Sequence, residues 1–228
     1  MNEGINAVLS DEAADVMLGL APAGTCNDFS HALGISTDPA QIVDVLLNGE
    51  VGTLDAARAG ERYFCSIATL GFESVVNRMV RDRWTRSPPR WLFVAVATCK
   101  LLSQPMLDIR LKLDDGEHNI SAMNLLAANT SCYGGHVPIA PTATPADGLL
   151  DVVAFRPTSL SQRLLLLCSA LGGRHVGHSG VWQRRTARLT IESPSAYEVW
   201  ADGEPIGTTP IIIEVVPNAL KMLLPRRE

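Results

Sequence analysis

The chain has 228 residues, enough to bury a sizeable core as one large domain or two small ones. Its net charge of −5 argues against a general nucleic-acid binder. The five cysteines show no C-x-x-C spacing and are typical of free thiols in a reducing cytosol. The longest apolar runs, at 91–99 and 164–173, are far shorter than the ~20 residues of a membrane-spanning helix.

The first fifty residues predict helices and one short strand. We expect a helix from the first residues onward, a short buried strand within 16–24, and helices at 27–35 and 38–50. Asp38 and Pro39 are typical of a helix N-cap and the first helical position. This is α/β material, but too little of it to form a stable parallel sheet alone.

The pattern changes after this region. Residues 52–72 predict two strands around a turn, and residues 74–104 are mostly helical. Residues 105–217 combine alternation, β-branched residues and Asp-Gly turns, which indicate antiparallel strands, with one helix at about 158–172.

These elements predict an α/β-plus-β chain. Residues 1–50 are expected to be the remnant of an α/β domain, and residues 51–217 a larger antiparallel β-sandwich. The last stretch, residues 218–228, is expected to return to the first domain.

The segment GTCND, residues 24–28, joins a turn to a helix start. Thr25 and the free N–H groups of a helix start suit an anion, and the Asp28 carboxylate suits Mg²⁺. The alternative is a simple N-cap by Asn27 or Thr25.

Two further segments place carboxylates beside turns. Asp202 and Glu204 flank a glycine in WADGEPIG, where strand alternation would put both on one side. Asp147 lies in a Gly- and Pro-rich loop that could bind a cation through carboxylate and carbonyl oxygens. The alternatives are an ordinary Asp-Gly turn and an ordinary connector.

Five arginines interleave with Trp84 and Trp91. This cluster could face anionic lipid or a nucleotide phosphate, and its alternative is a solvated helix face. The arginines are Arg78, Arg81, Arg83, Arg86 and Arg90.

Four separated segments, in order, resemble the diacylglycerol-kinase superfamily of lipid kinases, which includes YegS-like, sphingosine and ceramide kinases. APAGTCNDFSHALGI is similar to its G-T-x-N-D-[FL]-A signature, and LDAARAGERYFCSIATLGFES to the strand pair that follows. NTSCYGGHVPIAPTATPADGLLDVVAF is similar to the G-G-G…A-P-x-A…D-G-x-L-D-V segment, and WADGEPIGTTPIIIEVVPNALKMLLP to the closing D-G-E segment. The resemblance spans the whole chain and implies an ATP- and Mg²⁺-dependent kinase.

The resemblance implies catalytic and nucleotide-binding roles. Glu204 matches the general base that takes the proton of the lipid hydroxyl, and Asp202 matches its neighbour. Thr25 matches a nucleotide contact, while Asn2 and Glu3 match the end of the nucleotide loop.

The resemblance also implies two magnesium positions. Asp28 and Asp55 match aspartates that hold Mg²⁺ and its waters near the phosphates. Thr144, Asp147 and Leu149 match a second site built from one carboxylate and two backbone carbonyls.

The sequence departs from the family at its start. The family has a Gly-Gly-Asp-Gly-Thr nucleotide loop followed by an apolar residue and Asn-Glu, and MNEG begins just where that loop would end. We therefore expect a lipid kinase that lacks several dozen residues at its front and has little kinase activity by itself. Arg90 aligns only loosely with a basic residue near the phosphates.

Three functions compete at this point. The first is a kinase acting on diacylglycerol or a similar lipid, cytoplasmic and peripheral at the membrane face, with a homodimer possible. The second is a catalytically inactive homologue that binds lipid or a partner. The third is a NAD-kinase-like enzyme, against which the GTCNDF form argues.

Overall fold

The computed structural model describes residues 2–10, 16–24, 26–71 and 103–226. The helices are α1 (Asn2–Ser10), α2 (Asp28–Ala32), α3 (Pro39–Asn48) and α4 (Leu160–Leu171). The strands are β1 (Met17–Leu18), β2 (Glu50–Ala59), β3 (Arg62–Phe64), β4 (Ile67–Gly71), β5 (Leu107–Leu113), β6 (Gly116–Ala122), β7 (Asn124–Ala128), β8 (Leu150–Phe155), β9 (Val181–Thr186), β10 (Arg188–Glu192), β11 (Glu198–Ala201), β12 (Glu204–Thr208) and β13 (Ile211–Leu224). The helix predicted at 74–104 falls almost wholly outside these ranges, and the arginine cluster does so completely.

The strands form two sheets. The first has the order β3-β2-β13-β10-β5-β6, with β1 added parallel to the end of β13. The second has the order β12-β11-β4-β7-β8-β9. All described pairings within residues 105–217 are antiparallel, so the predicted antiparallel β-sandwich is confirmed.

The two sheets bury one core between them. Along β5, Leu107, Ile109 and Leu111 are buried while Asp108 and Arg110 face outward, as strand alternation requires. The other face of the second sheet is covered by α4, whose Leu166 and Ala170 are buried in a separate apolar cluster. Every residue of β7 and β8 is buried because these strands are covered on both faces.

Helices α1 and α2 pack against strands β2 and β13 of the first sheet. Ile5 of α1 and Phe29 of α2 lie in an apolar cluster with Leu54 of β2 and Leu220 of β13. Helix α1 also covers the edge strand β3, since the Asn6 side chain donates to the Tyr63 carbonyl and accepts from its N–H, both at 2.8 Å. A covered edge cannot pair with another chain.

One local prediction is confirmed by the structure, and another was partly wrong. Helix α3 begins as predicted, since the Asp38 side chain accepts the N–H of Ala40 and Pro39 follows the cap. The short strand predicted within 16–24 exists, but the prediction that it is buried was wrong, because Met17 is 54% exposed.

Residues 52–72 contain three strands rather than two. Chain pairing breaks at Cys65 and Ser66, between β3 and β4, because the carboxylate of Asp202 takes the N–H groups of both residues. The pairing between β2 and β13 extends along β2 from Glu50 to Ala59. The domain boundaries at 50 and 217 stay predictions.

Candidate active site

A cleft of about 640 Å³ opens between the first residues of the chain and the second sheet. One wall is the turn before α2 and the start of that helix, residues 20–24 and 26–30. The other wall contains Ser66, the Tyr133–Gly134 segment and the Asp202–Gly203 turn. The cleft therefore brings together two of the segments on which the family resemblance depends. In the sequence, 173 residues lie between Asp28 and Asp202, which Gly203 follows.

Asp202 lies in the two-residue turn between β11 and β12. Asp202 and Gly203 have φ angles of 50° and 84°, and Ala201 pairs with Glu204 across the turn. These angles suit the tight hairpin turn for which Asp-Gly is favoured. Strand alternation therefore does not set the direction of the Asp202 side chain, and the argument from alternation was wrong for this residue.

Backbone hydrogen bonds set that direction instead. Asp202 Oδ2 accepts the N–H of Cys65 at 2.9 Å, and Oδ1 accepts those of Ser66 and Ile67 at 3.1 and 3.3 Å. Burial raises the pKa of Asp202, and the three N–H donors oppose this rise. The carboxylate thus fixes the hairpin against the β3–β4 junction.

Glu204 begins β12, directly after this turn. Its side chain is 39% exposed, and one carboxylate oxygen lies 3.6 Å from an Arg62 guanidinium nitrogen. A partly exposed carboxylate beside a fixed turn can meet a substrate hydroxyl without a large desolvation cost. The hairpin brings Glu204 next to the cleft wall, but Glu204 itself is not among the residues that line it.

Asp28 is held by three consecutive backbone N–H groups. Its carboxylate oxygens accept from Gly134 at 2.8 Å, from Gly135 at 3.0 Å and from His136 at 2.8 Å. All three donors have positive φ angles, 67°, 93° and 71°, so their N–H groups turn toward one anion. The His136 ring also stacks on His31 of α2, with ring centroids 4.0 Å apart.

Asn27 does not act as a simple N-cap in the structure. Asn27 has a φ of 52°, and its side chain makes no capping hydrogen bond to α2. Its side-chain oxygen instead accepts the N–H of Gly24 at 2.8 Å and closes the turn. Thr25 lies outside the described residues. Glu3 is exposed in the first turn of α1, which Asn2 begins.

Asp55 is a buried anchor in β2, only 3% exposed. Its Oδ2 accepts the N–H of Gly148 at 2.7 Å, and its Oδ1 accepts the N–H of Asn218 at 2.8 Å. Its own N–H donates to the Pro145 carbonyl at 2.7 Å. The residue therefore joins the Asp147 loop to the bulge of β13, where the ladder register shifts between Val216 and Leu220.

Asp147 makes two contacts of its own. Its Oδ1 accepts the N–H of Leu149 at 3.1 Å, and its Oδ2 is ion-paired with the Arg185 guanidinium. Arg185 also contacts the fully buried Asp151, with 3.3 Å between Nε and Oδ2. Thr144 lies in the same loop, three residues before Asp147. The three predicted ligands of the second metal site therefore lie within one loop, and the carboxylate of Asp147 is ion-paired with Arg185.

The sequence reasoning missed Asn129. Its side-chain nitrogen donates to the carbonyls of Asp55 at 2.9 Å and Cys65 at 2.8 Å, so it links the Asp55 anchor to the segment that Asp202 holds. Asn129 Oδ1 and Thr130 Oγ1 are buried without a hydrogen-bond partner among the described residues, and such atoms are satisfied by an ordered water or a ligand. A polar Asn-Thr pair directly after the apolar strand β7 was the available signal.

Two buried cysteines near the cleft, Cys65 and Cys132, have thiols of low reactivity. Burial, with a smaller contribution from Asp202, raises the pKa of the Cys65 thiol well above its usual value. Burial and Asp28 raise the pKa of Cys132 to about 11. Both therefore remain protonated at neutral pH and are poor nucleophiles. The four described cysteines are free thiols, and Cys99 lies outside the described ranges.

Two models of known families match successive parts of the chain. The family model for the diacylglycerol kinase catalytic domain matches residues 1–59. The model for the YegS C-terminal NAD kinase β-sandwich-like domain matches residues 66–224. Together these matches take in both walls of the cleft.

Individual relatives are similar along nearly the whole chain. A diacylglycerol kinase of Mycobacterium tuberculosis (strain H37Rv) is 34% identical over 229 residues, which cover 97% of this chain and 73% of that one. A diacylglycerol kinase of Staphylococcus saprophyticus is 25% identical over 210 residues, 92% of this chain and 68% of that one. The chain belongs to the diacylglycerol-kinase family of lipid kinases.

Solved structures share the fold. A crystal structure of a diacylglycerol kinase from Bacillus anthracis str. Sterne superimposes with a TM-score of 0.73 at 19% identity, covering 97% of this chain and 71% of that one. Within the part of the chain that the structure describes, no helix is both long and apolar enough to cross a membrane.

Proposed function

We propose that this chain belongs to an enzyme that transfers the γ-phosphate of ATP to a hydroxyl of diacylglycerol or a similar lipid, as a peripheral protein at the cytoplasmic face of a membrane. One observation carries the proposal. The Asp28 turn and the Asp202 hairpin, which are far apart in sequence, line the same cleft. Family membership supports the reaction class, phosphate transfer to a lipid, and the cleft is the proposed position of that reaction.

The proposed chemistry assigns a proton acceptor to the hairpin. Glu204 accepts the proton of the lipid hydroxyl, whose oxygen forms the new bond to the γ-phosphorus while the bond to ADP breaks. Asp202 does not move a proton in this scheme. It fixes the turn before Glu204 through its bonds to Cys65, Ser66 and Ile67, and so orients the base.

Magnesium, when bound, would neutralise charge on the phosphates. Among the described residues, no group of three or more His, Cys, Asp or Glu side chains is placed to hold a metal ion. The oxygen donors that fit are Asp55 and Asp147, whose carboxylate oxygens each accept one protein partner and can accept more. Asp28 fits less well, because three N–H groups already occupy its oxygens.

The test of the proposed function is transfer of labelled phosphate from ATP to diacylglycerol in mixed micelles, by a chain that carries the nucleotide loop. NAD serves as the competing acceptor. We expect labelled lipid and no labelled NADP. Labelled NADP without labelled lipid would contradict the proposal.

The second metal site gives a prediction that needs no activity. Asp147→Ala should weaken Mg²⁺ binding in a calorimetric titration, because it removes the only carboxylate of the Thr144–Leu149 loop. Arg185→Met should strengthen it, because the guanidinium that now competes for Asp147 is gone. We expect changes of about tenfold or less in either direction for a partly exposed site.

Asp108→Ala is the matched control, because it removes an outward-facing carboxylate from β5. It should leave Mg²⁺ binding unchanged. Equal binding by the wild type and Asp147→Ala would exclude this loop as a metal site.

A further inference from the structure

Helix α4 is apolar on two sides. Its inner side, with Leu166 and Ala170, is buried against the second sheet. Its outer side exposes Leu160 by 58%, Leu164 by 43% and Leu171 by 60%. These three residues are four and seven positions apart, so they share one helix face.

The outer face extends beyond these three leucines. Leu165, directly after Leu164, is 53% exposed, Cys168 one turn after Leu164 is exposed, and Val176 in the turn after the helix is 41% exposed. Single exposed apolar residues are common on proteins, but a contiguous apolar face of this kind marks an interaction surface. We call this outer face, with Val176, the α4 surface.

Two exposed arginines flank the α4 surface. Of the six arginines between Asp151 and Glu192, Arg184, Arg185 and Arg188 lie on β9 and β10 and are ion-paired with acidic residues. Arg156 precedes the helix and Arg174 follows it. Both are exposed, and neither forms an ion pair with a described residue.

We propose that the α4 surface docks on an anionic lipid bilayer. An apolar helix face with arginines at its ends is the pattern of a helix that lies in a membrane interface, with its leucines among the acyl chains and its cations at the headgroups. The inference rests on the proposed function, since an enzyme for a bilayer lipid must reach the membrane surface. A soluble protein partner would not require arginines at both ends of the apolar face that have no ion-pair partner among the described residues.

The position of α4 relates the docked face to the cleft. Leu166 and Ala170 pack in one cluster with Ile139 and Ala140 of the loop after β7. His175, directly after the helix, lies 2.8 Å from the Ile139 carbonyl through Nε2. The earlier part of the same loop, residues 134–136, holds Asp28 at the cleft. The loop that forms the cleft wall therefore packs against the inner side of the helix whose outer side docks on the membrane.

The experiment is co-sedimentation of the 228-residue chain with vesicles, without ATP or diacylglycerol. One set of vesicles is phosphatidylcholine, and the other is phosphatidylcholine mixed with phosphatidylglycerol. We expect binding to the anionic vesicles, weaker binding to the neutral ones, and a loss of about tenfold or more for Leu164→Glu/Leu165→Glu. Arg156→Gln/Arg174→Gln should lower binding to the anionic vesicles only.

Val43→Glu/Leu47→Glu is the matched control, because these α3 side chains are also exposed, by 53% and 76%. It should bind as the wild type does. No wild-type binding, an unchanged α4 variant, or an equal loss in the α3 control would overturn the proposal. If circular dichroism shows that the leucine variant is unfolded, the arginine variant decides, and unchanged binding by it overturns the proposal.

Failure of docking is distinguishable from failure of the proposed function. The kinase reaction is measured separately on a chain that carries the nucleotide loop, with short-chain diacylglycerol dispersed without a bilayer. Transfer in that assay without vesicle binding removes only the docking surface, while vesicle binding without transfer removes only the reaction.

Discussion

Glu204→Gln is expected to lower phosphate transfer to diacylglycerol by about 100-fold or more in a chain that carries the nucleotide loop. The amide has the size of the carboxylate but cannot take the hydroxyl proton. Since Glu204 is 39% exposed and its contact with Arg62 is long, at 3.6 Å, the change should leave the melting temperature almost unaltered. The measurement is kcat and KM in mixed micelles, and we expect the loss in kcat.

Glu117→Gln is the control for this variant. Glu117 is an exposed carboxylate on β6 that is likewise paired with an arginine, Arg110, at 3.1 Å. It should have wild-type kcat. Full activity of Glu204→Gln would remove Glu204 as the base, and a loss of folding would show that its role is structural.

Asp55→Ala is expected to lower the free energy of unfolding by about 2–4 kcal/mol, because the backbone N–H groups of Gly148 and Asn218 both lose the carboxylate to which they donate. Asp55→Asn should cost less, because it keeps the volume and one acceptor oxygen, but its NH₂ group must face one of these donors. Urea denaturation gives both values. In a chain with the nucleotide loop, Asp55→Asn should raise the Mg²⁺ concentration needed for transfer, and Asp28→Asn should raise it less, because three N–H groups already occupy the Asp28 oxygens.

Asp108→Ala again serves as the control, because it removes an outward-facing carboxylate from a strand. Its free energy of unfolding should change by less than about 0.5 kcal/mol. If Asp55→Ala is as stable as this control, the anchoring of the Asp147 loop and the β13 bulge through Asp55 contributes nothing to the fold.

Local signals in the sequence predicted much of the fold. The cap at Asp38 with Pro39 fixed the start of α3, and the helix expected at 158–172 is α4, Leu160–Leu171. Alternation and Asp-Gly turns identified the antiparallel strands, because such patterns follow from the geometry of one strand and its turn. The family resemblance, which the comparisons confirm, came from segments of this local kind.

Contacts between distant segments could not be predicted in this way. The N–H groups that hold Asp28 come from residues 134–136, and those that hold Asp202 come from residues 65–67. Periodicity carries no information on which segments meet in space. For the same reason Asn129, which bridges Asp55 and Cys65, was missed.

The site residues divide by what surrounds them. Asp28, Asp55 and Asp202 are held by backbone N–H groups, and Asp28 and Asp202 lie in the walls of the cleft. Glu204 stands partly exposed beside them. Rigid carboxylates that fix turns around one more accessible carboxylate are what positioning of a general base requires. The assignment of each role remains a prediction of the proposed function.

The most direct test of the central claim is a crystal structure of a chain carrying the nucleotide loop, with a short-chain diacylglycerol and a non-hydrolysable ATP analogue. The account predicts the lipid hydroxyl within about 3 Å of a Glu204 carboxylate oxygen, at the mouth of the cleft between the Asp28 turn and the Asp202 hairpin. A lipid hydroxyl bound away from this hairpin, with the γ-phosphate beside it, would contradict the account.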